Sequence, residues 1–279
     1  MALCHPFLFT ILLCLSVPAT AQFDFNQLVT DSYKQVFTNQ GLSFDELEER
    51  STAKTQGAFV YLSGLKHTID YFVYGTYDGV LDNLKNNNKR IKQLNPDFGF
   101  GKFFLGESYF HLGLIQMAQN NKLGGLISLK KAYAIHLKNT GLPIDFYGGE
   151  KTRAVLEIIF NEAKNYSEFA GLVTGVKVNG RNGEKRLQNS VNKGSAYQFE
   201  AQLFQTILHQ FVTFEEKKAN KSIEKILKQY PKSNLVLSLA AVIYSKNNHS
   251  EEALTVLSRV DKANPYFIYL QGLNHLQLL

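Results

Sequence analysis

Beyond residue 22, apolar residues recur at three- and four-residue spacing along nearly the whole chain, and the strict alternation of a half-buried strand is almost absent. The pattern predicts helix after helix. Start and stop signals cut it into segments. Ser43-Phe-Asp-Glu46 has the form of a capping box, whose side chains satisfy free N–H groups at a helix start. Ser250, followed by Glu251 and Glu252, reads as a cap with two negative charges at the positive end of a helix. Asn- or Gly-rich turns are expected at Asn86 to Asn88, Asn120-Asn121, Tyr147 to Gly149, Asn179 to Gly183 and Asn247-Asn248. Pro143 to Gly149 is the least helical stretch and reads as a long turn between two halves.

Helical hairpins that cannot bury their own apolar faces stack on copies of themselves, so a repeat period is expected. Three prolines close a helical pattern in the same way: Lys92-Gln-Leu-Asn-Pro96, Lys228-Gln-Tyr-Pro231 and Lys262-Ala-Asn-Pro265. Proline cannot continue a helix, and lysine suits the negative carboxyl end. Pro231 and Pro265 are 34 residues apart, as are Ala219 and Ala253, Ile223 and Leu257, and Leu203 and Leu237. Ala219 and Ala253 fall where the second helix of a hairpin needs a small side chain for close approach. Leu239-Ala240-Ala241 with Tyr244 supplies the matching first-helix face, and Pro96, Gly106 and Tyr109 repeat the offsets of Pro231, Ala241 and Tyr244. A further hairpin is therefore expected over about 77–137. Its second helix starts late, near Lys122, with Gly125, Leu129 and Ala132 in the small, large and small roles.

These residues resemble the tetratricopeptide superfamily, whose period is 34. They are most similar to the divergent branch that contains tetratricopeptide repeat protein 39 and the fungal inclusion-body clearance protein. Gly175-Val-Lys-Val-Asn-Gly180-Arg-Asn-Gly183 looks like that branch's glycine-marked turn, with Arg181 where an acidic residue is usual. The resemblance covers roughly 60–275. It implies an all-α, right-handed superhelix of TPR-like hairpins that acts as a binding scaffold, with no active site. The expected organisation is a leader over 1–21, an N-terminal helical region over 22–145, and C-terminal repeats over 146–279, closed by a capping helix from Tyr266 to Leu279.

The first residues set the compartment. An apolar run ends in Ala19-Thr20-Ala21, a small-x-small cleavage pattern, and is too short for a permanent span. The mature chain is expected to begin at Gln22 and to be periplasmic or secreted, without stable membrane insertion. Both cysteines, Cys4 and Cys14, lie in this leader, so the rest has no disulfide or thiol chemistry. Leu12 and Leu13 before Cys14 do not suit a lipidation signal. The net charge of +6 comes from scattered residues with local clusters at Lys85 to Lys92, Lys217 to Lys228 and Arg181 to Arg186, which read as solvated helix faces. No nucleic-acid partner is expected.

No metalloprotease, nucleophile-elbow, phosphate-loop or calcium-loop motif is present. His67 and Asp70 share a helix face and form the one acid/base candidate pair, read as an ordinary surface pair. No catalytic residue, metal site or cofactor is expected. Aromatics cluster at Tyr71, Phe72, Tyr74 and Tyr77, and again at Phe98, Phe100, Phe103, Phe104, Tyr109 and Phe110. Most belong to the core. Tyr71, Tyr74, Phe103, Tyr109, His111 and Tyr244 are the candidates to line a groove that takes a protein or peptide partner. A glycan or small ligand is the alternative, because each tyrosine offers flat apolar area and a hydroxyl.

Overall fold

The computed structural model describes residues 23–38, 42–75, 78–97, 99–165, 171, 173, 175–193, 196–260 and 264–278. The leader, Tyr77 and Phe98 lie outside these residues. Among the described residues there are thirteen helices and no strand. We number them α1 (Gln27–Thr38), α2 (Phe44–Glu49), α3 (Gln56–Tyr74), α4 (Val80–Gln93), α5 (Gly99–Ala118), α6 (Lys122–Lys138), α7 (Gly148–Ala163), α8 (Gly180–Lys193), α9 (Gln198–Phe211), α10 (Glu216–Gln229), α11 (Asn234–Lys246), α12 (Ser250–Leu257) and α13 (Pro265–Gln277).

Local chemistry sets several of these bounds. The capping box at Ser43 is formed, with Ser43 Oγ accepting from the Glu46 N–H and Glu46 Oε2 accepting from the Ser43 N–H. Asn121 caps α6 by accepting from the Gly124 N–H, so the second helix does start at Lys122. Asn120 and Asn248 take left-handed backbone angles in tight turns, a conformation asparagine tolerates.

Other expected signals have different roles. Asn86 to Asn88 lie inside α4, because Asn87 and Asn88 are buried and reach Ser63 Oγ and the Ser108 carbonyl. Asn179 to Gly183 open α8; the turn runs through Gly175, and Gly183 packs closely on the α7 backbone at Ala154. Ser250 is the first helical residue of α12, and its hydroxyl donates to Gln277 instead of capping. Pro265 starts α13 in the first turn, where its missing N–H is not needed, and Asn264 supplies the cap.

Consecutive helices pack on one another: α3 with α4, α5 with α6, α7 with α8, α9 with α10, and α11 with α12, with α13 against α11 and α12. The 34-residue register has a physical counterpart. The helices α10 and α12 begin 34 residues apart, and Ala219, Ala253, Ile223, Leu257, Leu203 and Leu237 are all buried. Ala132, Ala240 and Ala241 have no exposed surface either. Helices α5 and α6 approach closely: a Cβ on Gly113 would lie 2.7 Å from Leu129 Cδ2 and 3.1 Å from the Gly125 carbonyl oxygen.

The succession of hairpins closes on itself. Helix α11 packs against both α1 and α3, Ser233 Oγ donates to the Phe37 carbonyl, and Asn264 Nδ2 donates to the Val73 carbonyl. The main core accordingly draws residues from both ends of the chain, from Phe23 to Leu270. Phe23 and the inner face of α1, with Val29, Tyr33, Val36 and Phe37, are buried in it, and the half-buried Phe25 packs against it. Phe25 packs against Phe100, Phe146 and Tyr197, and Tyr33 against Tyr197 at 4.6 Å between ring centres. Each such buried side chain contributes roughly 1.5–3 kcal/mol, so this segment is an integral part of the fold.

Candidate functional site

At the centre of the closed arrangement sits a cluster of charged side chains with no access to solvent. Lys151, in the first turn of α7, places Nζ 3.0 Å from Glu107 Oε2 on α5 and 2.7 Å from Glu200 Oε1 on α9. Thr152 Oγ1 donates to Glu107 Oε1, and Tyr33 OH of α1 donates to Glu200 Oε2. His136 Nε2 of α6 lies 3.1 Å from Glu107 Oε1, within ion-pair reach but not aligned as a hydrogen bond. Five helices thus converge on two carboxylates and one ammonium. Gly106 makes room for this: a Cβ there would sit 2.6 Å from His136 Nε2.

The electrostatics divide the two carboxyls. Burial alone would raise Glu107, but the Lys151 ammonium, with His136 and His111, outweighs it and holds the group down at about 2. Burial wins at Glu200, whose carboxyl is raised despite Lys151, with the Glu107 charge adding to the effect. Lys151 stays protonated: burial opposes its charge, but Glu107 and Glu200 overcome it. His111 is pushed down to about 4, chiefly by burial, so its ring is neutral near pH 7. Burial also lifts the hydroxyls of Tyr33, Tyr61 and Tyr197 well above the usual phenol range.

Glu107, His111 and Glu200 present ligand atoms within 4.8 Å of one another, a grouping a metal ion could use. The cation between these carboxylates is, however, the chain's own Lys151. All four carboxylate oxygens already face Lys151, Thr152, His136 or Tyr33. A metal ion would have to expel the ammonium. The donor set therefore fits an internal ion network better than a metal centre.

The groove candidates are distributed over the interior. Phe103 and His111 are fully buried, with His111 stacked on Tyr61. Tyr71 packs with Val80, Leu84, Leu112 and Ile115, and Tyr244 is buried beside the α12 start. Tyr74 is half-buried against the main core, and Tyr109 is half-buried with the ammonium groups of Lys92 and Lys131 near its ring. They do not share one open face. His67 stacks on Phe44 at 4.2 Å, while Asp70 pairs with Lys66 at 2.8 Å, so the acid/base candidates have separate partners.

The open concave surface lies at the flank, where α2, the turn after it, α3 and α4 enclose a groove of about 1010 Å³. Gln56, Ser63, Asn83, Asn86, Asn87 and Gln93 line it with amides and a hydroxyl, beside the ring of Phe44 and the charges of Glu48, Lys89 and Arg90. A second depression, of about 760 Å³, lies between α6, α7 and the segment before α8. There Glu157 holds Arg153 at 3.1 Å and Arg186 at 2.7 Å, so both cations are already paired. Neither cavity is lined by any residue of the buried cluster.

Sequence reasoning missed Glu107, His136, Lys151 and Glu200. A signal existed: Glu107 is the lone acidic residue in the apolar α5, and Glu200 interrupts the apolar start of α9. A lone charge on an apolar face needs a partner. What was not legible was which partner.

The fold and these sites define an all-α protein of paired, adjacently packed helices. No family model, curated protein or solved structure matches the chain.

Proposed function

We propose that this protein is an exported, non-catalytic scaffold of TPR-like helical hairpins that binds an extended segment of a partner protein in the groove between α2, α3 and α4. The observation that carries the reading is the groove itself, about 1010 Å³ and lined by side-chain amides on two helices. An amide offers a donor and an acceptor together, the complement of a peptide backbone. Rigid helices hold those amides in fixed positions, which limits the entropy lost on binding. The scaffold reading draws on the 34-residue register with matched buried positions in α9 to α12. The non-catalytic reading draws on the ion cluster being sealed and internally paired.

A glycan is the second reading, favoured by the hydroxyl and amide lining around the partly exposed Phe44. Panning a random peptide library, with a glycan array in parallel, separates the two. Peptides selected on the native protein are expected to lose at least about tenfold in affinity on Asn86→Ala/Gln93→Ala, that is, about 1.4 kcal/mol. Peptides indifferent to that change, or specific glycan binding in their place, overturn the peptide reading.

A further inference from the structure

Helix α6 carries apolar residues on a buried face and on an exposed face beside it. Its inner face, with Leu126, Leu129, Ala132 and Tyr133, packs into the core against α5 and α7. Its outer face is also apolar: Leu123, Ile127 and Leu137 are each about half exposed or more, and Ala134 is exposed beside them. At 3.6 residues per turn these four positions fall within one arc of the helix, which also holds the half-buried Lys130. Scattered apolar residues on a surface need no explanation, but a strip on one helix does.

The charges on the same helix are all of one sign. Helix α6 carries Lys122, Lys130, Lys131 and Lys138 and no acidic residue. Lys131 and Lys138 are exposed and fall at the edge of the apolar arc. An exposed apolar strip whose charged companions on the same helix are all lysines complements one kind of surface in particular, an apolar layer beneath negative head groups. A protein groove would have to supply both features from separate side chains. No helix among the described residues is long and apolar enough to cross a membrane, so contact would be along the surface.

We propose that the outer face of α6 docks the protein peripherally on an anionic lipid surface, with Leu123, Ile127 and Leu137 at the head-group boundary and Lys131 and Lys138 among the phosphates. This face is separate from the α2–α4 groove, so the proposal does not rest on peptide binding.

The chain contains no tryptophan, which gives a direct assay. Ile127→Trp places a sole indole on the proposed face, and Tyr269→Trp places one on the exposed side of α13 as the control. Both variants of the full chain are first shown to melt like the wild type. They are then titrated with phosphatidylcholine vesicles, with and without about one-third phosphatidylglycerol. The expected result is a blue shift at position 127 only, and only with the anionic vesicles. Adding Lys131→Gln/Lys138→Gln should weaken that partitioning roughly thirtyfold, from about one kcal/mol per lysine. Four results each overturn the proposal: no shift, an equal shift at 127 and 269, an equal shift on neutral vesicles, or a shift at 127 without lipid, which would mean that chains cover this face themselves.

Discussion

Replacing Lys151 by Met removes the cation from between two buried carboxylates while keeping an unbranched side chain, one heavy atom shorter. The oxygens of Glu107 and Glu200 available to a shared cation lie within 4.8 Å of each other. At an effective dielectric of about 20, two full charges at that distance repel by about 3.5 kcal/mol. The protein can escape by protonating one carboxyl. From an ordinary value of 4.5, that costs about 3.4 kcal/mol at pH 7, at 1.36 kcal/mol per pH unit. Both routes give a loss of about 3–4 kcal/mol, in the range measured when one partner of a buried pair is removed. For a chain of this size the melting temperature should fall by roughly 6–16 °C. The sign with pH is the sharper test. In the wild type Glu107, held below its unfolded value, contributes stability that is present above about 4.5 and lost as pH falls towards about 2. Without Lys151 burial dominates, the folded value rises above the unfolded one, and the contribution reverses: it is present at low pH and lost as pH rises. The gap between variant and wild type should therefore shrink as pH falls from 7 to about 4.5. Thermal melts followed at the helix band across that range check both parts. A variant within about 2 °C of wild type at pH 7, or a gap independent of pH, refutes the account. Lys151→Met/Glu107→Gln/Glu200→Gln should recover most of the loss, because it removes the charges together.

Gly106→Ala should cost roughly 1–3 kcal/mol, since its Cβ would lie 2.6 Å from His136 Nε2; a double-mutant cycle with His136→Ala, read by chemical denaturation, should show clear coupling between the two positions. Ala253→Leu should overpack the α12 interface and cost roughly 1–3 kcal/mol, against under about 1 kcal/mol for the exposed Glu251→Gln. In hydrogen exchange, loss of protection with Ala253→Leu should extend from α10–α13 to α1 and α3; equal effects of the two substitutions would refute the register.

The helices were legible because their signals are local. Periodicity, the Ser43 box, Asn120-Asn121 and the prolines each act over one or two turns, and Ala219 and Ala253, 34 residues apart, are buried at matching points of α10 and α12. Three readings failed where a distant partner outweighs local preference. Asparagine is a turn former by itself, yet Asn87 and Asn88 sit inside α4 because Ser63 and the Ser108 carbonyl meet their amides. Ser250 and Asn179 to Gly183 were displaced by similar contacts from α13 and α7. The buried cluster was invisible for the same reason. Its members stand at 33, 107, 136, 151 and 200, and no spacing within one element relates them.

Closure changes what kind of stability the molecule has. In an open solenoid each hairpin touches only its neighbours, so the ends can fray independently and the total is a sum of local terms. Here α11 packs against α1 and α3, and Tyr33 of α1 reaches Glu200 of α9 through the cluster that Lys151 holds. Fraying at the C-terminal end would uncover the α1 interior and leave the Phe37 and Val73 carbonyls without their donors. Unpaired buried carbonyls and exposed aromatics each oppose that step by about 1–3 kcal/mol. The two ends of the chain must therefore open together. The buried charges act in the same direction. An ammonium shared by carboxylates from α5 and α9 is tolerable only when both helices are in place, so each helix depends on the other's position. The ionic centre thus ties α5 and α9 to Lys151 of α7, and the aromatic packing around it adds apolar burial.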